Sequence, residues 1–155
     1  MSISARLVEL GIELPSVVPP VAAYVPAVVH GDLVYTSGQL PMVAGALPTV
    51  GKVGEGGGLA PASDTHARDR QSAVDGLAAA ADIVGGVDRL TGVVKLTGFV
   101  ASVPAFTGQP GVINGASLVL GEIFGDAGRH ARSAVGVPVL PLDSPVEVEV
   151  VFSFA

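Results

Sequence analysis

Apolar and polar residues alternate most regularly at the C-terminal end of the chain. In residues 146–154 (VEVEVVFSF), Val146, Val148, Val150, Phe152 and Phe154 share one face and Glu147, Glu149, Val151 and Ser153 the other, as a strand requires. Residues 131–137 (ARSAVGV) form a shorter strand. Residues 92–101 (GVVKLTGFVA) are apolar on both faces, which predicts a central strand. Near the N-terminus, residues 24–29 (YVPAVV) and 33–37 (LVYTS) flank the turn-like His30-Gly31-Asp32 and predict a hairpin.

Three stretches have helical spacing instead. Residues 64–84 carry Ala73, Val74, Leu77, Ala81 and Val84 on one stripe, with Arg68, Asp75 and Asp82 outside it. Ser63 or Asp64 is placed to cap this helix, and Gly85-Gly86 to stop it. Residues 110–124 bury Ile113, Ala116, Leu120 and Phe124, with Pro110 suited to the first turn. Residues 2–10 make a short helix with Ser2 as N-cap and Leu7 and Leu10 on one side, ended by Gly11 and Pro15. The Pro-rich stretch that follows, as far as Tyr24, is extended or irregular. Residues 40–62 read as a loop with room for one short strand.

The resulting order, β-β-α-β-α-β-β after an N-terminal helical extension over about residues 1–15, predicts one α+β domain spanning 1–155. Its two main helices cover one face of a mixed sheet. The other face needs cover, which further copies of the chain can supply.

Composition sharpens that last point. Charged residues are 14% of the 155 and apolar ones 49%, with a mean hydropathy of +0.61. An ordinary chain carries about 25% charged residues. No stretch offers the ~20 unbroken apolar residues that cross a bilayer, so the apolar excess points to contact between copies. A net charge of −6 argues against sequence-independent binding of nucleic acid. The absence of cysteine excludes disulfides, thiolate metal sites and thiol nucleophiles. Met1 to Leu14 lacks the long apolar core of a signal peptide, and a cytoplasmic location is expected.

Candidate chemistry is sparse. Glu147 and Glu149 project from the same strand face roughly 7 Å apart, although on these residues alone a solvated face is the simpler account. Arg132 stands in a small, apolar strand just after Arg129 and His130, and its guanidinium suits a carboxylate held by two parallel hydrogen bonds. On these residues alone a solvent-facing arginine, or one paired with Glu147 or Glu149, is again the simpler account. The run Gly54 to Gly58 lacks the lysine and hydroxyl of a phosphate loop. Histidines 30, 66 and 130 have no metal-ligand spacing, and His66 is expected to face solvent from the first turn of its helix. Ser37, in TSGQ, is not a nucleophile elbow.

Taken in order, these pieces resemble the Rid/YjgF family (reactive intermediate deaminases, also called endoribonuclease L-PSP-like, with a chorismate-mutase-like fold). The resemblance runs over about residues 20–154. It is carried by Tyr24, the segment Gly31 to Pro41 (GDLVYTSGQLP), Gly51 to Gly54, Arg70-Gln71, Val93 to Val100, and Val112 to Ala116 (VINGA). Arg132 to Val135 (RSAV), Leu140-Pro141 and Val146 to Glu149 complete it. The resemblance implies a homotrimer with clefts between subunits, in which Arg132 grips a substrate carboxylate and Glu147 handles the attacking water. Tyr24, Ser37 and Asn114 would line the cleft, and the backbone of Ala134 would touch the ligand. The implied activity is hydrolysis of reactive 2-imino or enamine acids to 2-keto acids and ammonia, with no cofactor and no metal, on a small carboxylate-bearing metabolite. An imine carbon is already electrophilic, so fixing the acid end, orienting water and moving protons suffices.

The chain departs from the best-known members, which carry cysteine at the position of Ala134 and commonly proline at that of His130. With its N-terminal helix and long 41–62 loop it resembles a divergent branch. The alternatives are a non-catalytic trimeric binder of carboxylic metabolites, an endoribonuclease, and a chorismate mutase. The acidic charge counts against the endoribonuclease, and a single convincing cation counts against the chorismate mutase.

Overall fold

The computed structural model describes residues 1–17 and 23–155. A helix α1 (Ile3–Leu10) precedes a hairpin of β1 (Ala27–His30) and β2 (Leu33–Thr36). Then come α2 (Ala62–Val84), β3 (Leu90–Ala101), α3 (Gln109–Phe124), β4 (Ala131–Val137) and β5 (Val146–Phe154). The sheet order is β1-β2-β5-β3-β4, with β3 parallel to β4 and every other pair antiparallel. This is the expected mixed α+β architecture, and β3 is interior to the sheet as its doubly apolar pattern predicted. Residues 18–22 of the Pro-rich stretch lie outside the described residues.

The alternation read in 146–154 decides which face is core. Val146, Val148, Val150 and Phe152 are buried beneath the helices with Val34, Leu96 and Val100. From above they meet Ala73, Leu77 and Ala80 of α2 and Ile113, Ala116 and Leu120 of α3. The two helices cross closely because residue 115 has no side chain: a Cβ on Gly115 would overlap the His66 carbonyl. His66 is therefore half-buried with its backbone against α3, not free in solvent as the sequence suggested. Gly85 stops α2 in the left-handed conformation, φ 83°.

The start of α2 corrects another expectation. The helix begins at Ala62 with Pro61 as its cap, and the Thr65 N–H and hydroxyl both donate to the Pro61 carbonyl. Ser63 and Asp64 thus lie inside the first turn, where neither side chain caps it, although Asp64 still suits the positive end of the helix. Helix α1 forms as read, with the Ser2 hydroxyl accepting from Ala5 N–H at 3.2 Å. It is anchored by Asp88, whose carboxylate accepts from the Ser4 N–H (2.7 Å) and hydroxyl (2.6 Å). The 40–62 loop contains no strand; Val53 makes isolated bridges to Ala60 and Ser102.

Candidate functional site

Strand register sorts the candidate residues onto two faces, because residues directly opposite one another on neighbouring strands project the same way. Arg132 is opposite Leu96, which is opposite Val150, so Arg132 projects from the helix-covered face at the edge of the sheet. Ala134 follows on the same face, opposite Gly98. Glu147 is opposite Phe99, which is opposite Val135, and Glu149 is opposite Thr97. Both glutamates therefore stand on the uncovered face, as the sequence predicted. With β3 between their strands, the backbones of Arg132 and Glu147 are about 14 Å apart, two strand spacings across and three residues along.

The first cluster surrounds Arg132. Its Nη1 donates to Asn114 Oδ1 at 2.8 Å and to Ser117 Oγ at 3.2 Å, both on α3. Those two bonds use both hydrogens of Nη1. Among the described residues nothing accepts from Nε or Nη2, so one edge of the guanidinium is open to a planar anion. No ion pair joins Arg132 to Glu147 or Glu149 among the described residues. Behind Ser117 stands His130, its Nε2 at 3.0 Å from Ser117 Oγ and its Nδ1 at 2.6 Å from the Gly128 carbonyl.

A further member of this cluster was not singled out from the sequence. Asp69 on α2 is fully buried and accepts from the Ala116 N–H of α3, while its Oδ1 has no partner among the described residues. Burial raises its pKa from 3.8 to about 7, against the lowering influence of the Ala116 N–H and the charge of Arg132. A signal was present: counting back by four from Leu77 and Ala73 along the apolar stripe reaches Asp69, so this carboxylate sits where a core residue is due.

The second cluster is built by β2 and β5. Residue 38 has no side chain, and a Cβ there would overlap Glu147 Oε1. The glutamate thus lies over the Ser37-Gly38 backbone. The Ser37 hydroxyl donates to the Val25 carbonyl at 2.6 Å, which draws in the segment carrying the exposed Tyr24. Partial burial first, and the neighbouring Glu149 charge second, raise the pKa of Glu147 above the ordinary carboxylate value. Ahead of β5, Leu142 (φ 57°) and Asp143 (φ 58°) take left-handed conformations, and the Asp143 carbonyl accepts from the Gly51 N–H at 2.8 Å. These contacts fix the approach to Glu147.

One copy of the chain therefore places Asn114, Arg132 and Ala134 on one face and Glu147 over Ser37-Gly38 on the other, with Tyr24 one residue before the Val25 carbonyl that Ser37 holds, but does not bring the two groups to one point. Hollows of about 390 and 460 Å³ lie elsewhere, against Gly85-Gly86 and against Phe106 and Val137. The uncovered face bears Val28, Tyr35 and Val135, each at least 40% exposed, beside the half-buried Phe99 and Val151. Among the described residues no group of three or more His, Asp or Glu side chains could hold a metal. No helix there is long and apolar enough to cross a membrane.

Comparison with known proteins gives a consistent kinship. The family described as "YjgF/chorismate mutase-like, putative endoribonuclease" matches residues 4–155. Protein TCP17 of Trypanosoma cruzi is 39% identical over 150 residues, covering 95% of this chain and 91% of that protein. The crystal structure of Atu1372 from Agrobacterium tumefaciens, a protein of unknown function, superposes with a TM-score of 0.88 at 39% identity, over 99% of this chain and 94% of that one. A "putative endoribonuclease" from Shewanella oneidensis superposes with a TM-score of 0.91 at 31% identity, over 99% and 100% of the two chains.

Proposed function

Because the chain belongs to the YjgF/chorismate mutase-like family, we propose that it hydrolyses reactive 2-imino acids to 2-keto acids and ammonia in clefts shared between copies of a homotrimer. The observation that carries this reading is the open Nε–Nη2 edge of Arg132, held in place by Asn114 and Ser117. A 2-imino acid offers a carboxylate that fits that edge and an electrophilic carbon next to it. Asn114 and the Ala134 backbone of one copy complete the acid-binding side. Tyr24, Ser37 and Glu147 of a neighbouring copy form the opposite wall, since one chain cannot bring Glu147 to its own Arg132.

In this arrangement Glu147 accepts a proton from water as the oxygen attacks the imine carbon. Glu147 passes that proton to the nitrogen, the carbinol O–H proton follows it, and the nitrogen leaves as ammonia with the C–N electron pair while the carbinol oxygen becomes the keto group. A carboxylate whose pKa is raised by burial and by Glu149 is a better proton acceptor than an ordinary one. Arg132 contributes by holding the acid end so that attack occurs within one assembled complex.

A second reading, a non-catalytic binder of carboxylic metabolites, is favoured by one feature: the acid-binding half is complete within a single chain. The test is to generate 2-iminopropionate from alanine with an amino-acid oxidase and follow its loss. Acceleration by the wild type that falls about a hundredfold or more in Arg132→Ala supports the deaminase. Pyruvate binding without any acceleration supports the binder.

A further inference from the structure

The segment after Gly51 runs beside the C-terminal end of β3. Val53 is fully buried there, its N–H donating to the Ala101 carbonyl at 2.7 Å and its carbonyl accepting from the Val103 N–H at 3.1 Å. These bonds hold the neighbouring Lys52 close to Ser102. The start of α3 closes in from the other side. Gln109 folds its amide back, and Nε2 donates to the Phe106 carbonyl at 2.7 Å and to Ser102 Oγ at 3.3 Å. Ser102 Oγ is thus an acceptor toward Gln109, and its own hydrogen is left to donate elsewhere. Residue 136 on β4 has no side chain. A Cβ there would come within 2.8 Å of Gln109 Nε2 and 2.9 Å of Ser102 Oγ, so the bare backbone is what gives this pair its room.

Between these groups lies the hollow of about 460 Å³, an ordinary size for a small-molecule site. Lys52, Ser102 and Gln109 are its polar side chains, and Val103, Phe106, Val137 and Pro138 form apolar walls. Among the described residues no carboxylate lines it. Lys52 is half-buried, and no ion pair among the described residues includes it. An ammonium drawn partly out of water is stabilised by an anionic partner. The chain's other lysine, Lys95, has its nitrogen 3.0 Å from Ser133 Oγ and donates to it. The hollow against Gly85-Gly86 has the opposite character, with Asp82 and no cation among its described lining.

We propose that the hollow at Lys52 is a second ligand site, one that takes a small carboxylate with an apolar body. The acid end meets the Lys52 ammonium and the Ser102 hydroxyl, and the body lies against Phe106 and Val137. Gln109 is a positioning residue, since it fixes Ser102. The site is separate from the grip of Arg132. Gly136 is four residues beyond Arg132 on β4, about 13 Å along the strand, so a molecule as small as 2-iminopropionate held by the arginine does not reach it. The proposal therefore goes beyond the deaminase reading and does not depend on it.

The experiment titrates phenylacetate into the protein by ligand-observed NMR. Phenylacetamide, which lacks the charge, and acetate, which lacks the body, are titrated alongside. Phenylacetate should bind wild type with a dissociation constant of about 1 mM or below. The amide should bind about fivefold or more weakly, and acetate about tenfold or more weakly. Lys52→Met keeps the length of the side chain and removes its charge. It should weaken phenylacetate about fivefold or more and leave the amide within about twofold, the unchanged amide showing that the hollow is intact. Lys52→Arg restores the charge and should bind phenylacetate within about threefold of wild type. Arg132→Ala should leave phenylacetate within about twofold. Wild type that does not bind phenylacetate overturns the site. So does an amide or an acetate that binds as tightly as phenylacetate, or a Lys52→Met variant that matches wild type. Phenylacetate affinity lost in Arg132→Ala also overturns it, because the acid then sits on the arginine. None of these measurements uses turnover of 2-iminopropionate, so a protein without that activity sinks the deaminase reading and leaves this site standing.

Discussion

Arg132 and Glu147 project from opposite faces of one sheet, with β3 lying between their strands. Each is at home in its own surroundings: Arg132 is braced by Asn114 and Ser117, and Glu147 lies over Gly38. Neither forms an ion pair with the other, which is the arrangement expected if both are kept for a partner that the single chain does not contain.

Glu147 and Glu149 stand two residues apart on the same face, but only Glu147 is packed against Ser37-Gly38. Glu147→Gln should lower turnover of 2-iminopropionate about a hundredfold and leave pyruvate affinity nearly unchanged, since proton transfer matters mainly in the transition state. Glu149→Gln is the control and should lower it by less than about threefold. Steady-state rates with pyruvate titrations check both.

Gly38 offers a way to move Glu147 without altering it. A methyl group at position 38 takes the place of Oε1, and the far end of a glutamate side chain can give way. Gly38→Ala should therefore cost about tenfold or more in turnover by misplacing the carboxylate, with less than about 1 kcal/mol lost in stability. Denaturant unfolding beside the turnover assay separates these effects.

Asp69 predicts how stability depends on pH. Its pKa is 3.8 ordinarily and about 7 in the fold. Between those values the folded protein keeps a proton that the unfolded chain has released, so stability falls as pH rises through this window and levels off above it. Asp75, raised to about 6 by burial despite its bond from Gln71, acts with the same sign over the lower part of the window. Asp69→Asn keeps an acceptor for the Ala116 N–H and removes the ionisation. Its unfolding free energy should vary less between pH 5 and 8 and exceed wild type at pH 8 by about 1–3 kcal/mol.

The uncovered face, with Val28, Tyr35 and Val135 exposed beside Phe99, should be the contact between copies. Light scattering should give about three times the 15.4 kDa chain mass at micromolar concentration. Val135→Glu should shift the protein toward monomer and remove deaminase activity with it.

Local pattern revealed most of the fold. Strict alternation over 146–154 marked both the core face and the glutamate face, and the doubly apolar 92–101 marked an interior strand. The start of α2 was misread because Ser63 and Asp64 are good caps by residue type, whereas Pro61 and Thr65 close the turn first. Asp69 was passed over because a carboxylate in an apolar stripe looks like a break in the stripe, and its role depends on Ala116, 47 residues away. The chain Arg132–Ser117–His130 is likewise tertiary: Ser117 joins it only once α3 packs beside β4. The separation of Arg132 from Glu147 comes from β5 pairing with β3 rather than with β4, a choice that no local pattern encodes.

The shared cleft is tested most directly by complementation. Arg132→Ala and Glu147→Gln are each purified, and each alone should be nearly inactive toward 2-iminopropionate. Unfolded together in equal amounts and refolded, they form mixed trimers. If each cleft takes Arg132 from one copy and Glu147 from its neighbour, about one cleft in four receives both intact residues, and activity should return to roughly a quarter of wild type on random assembly. Mixed trimers as inactive as the two parents would contradict a site built between copies.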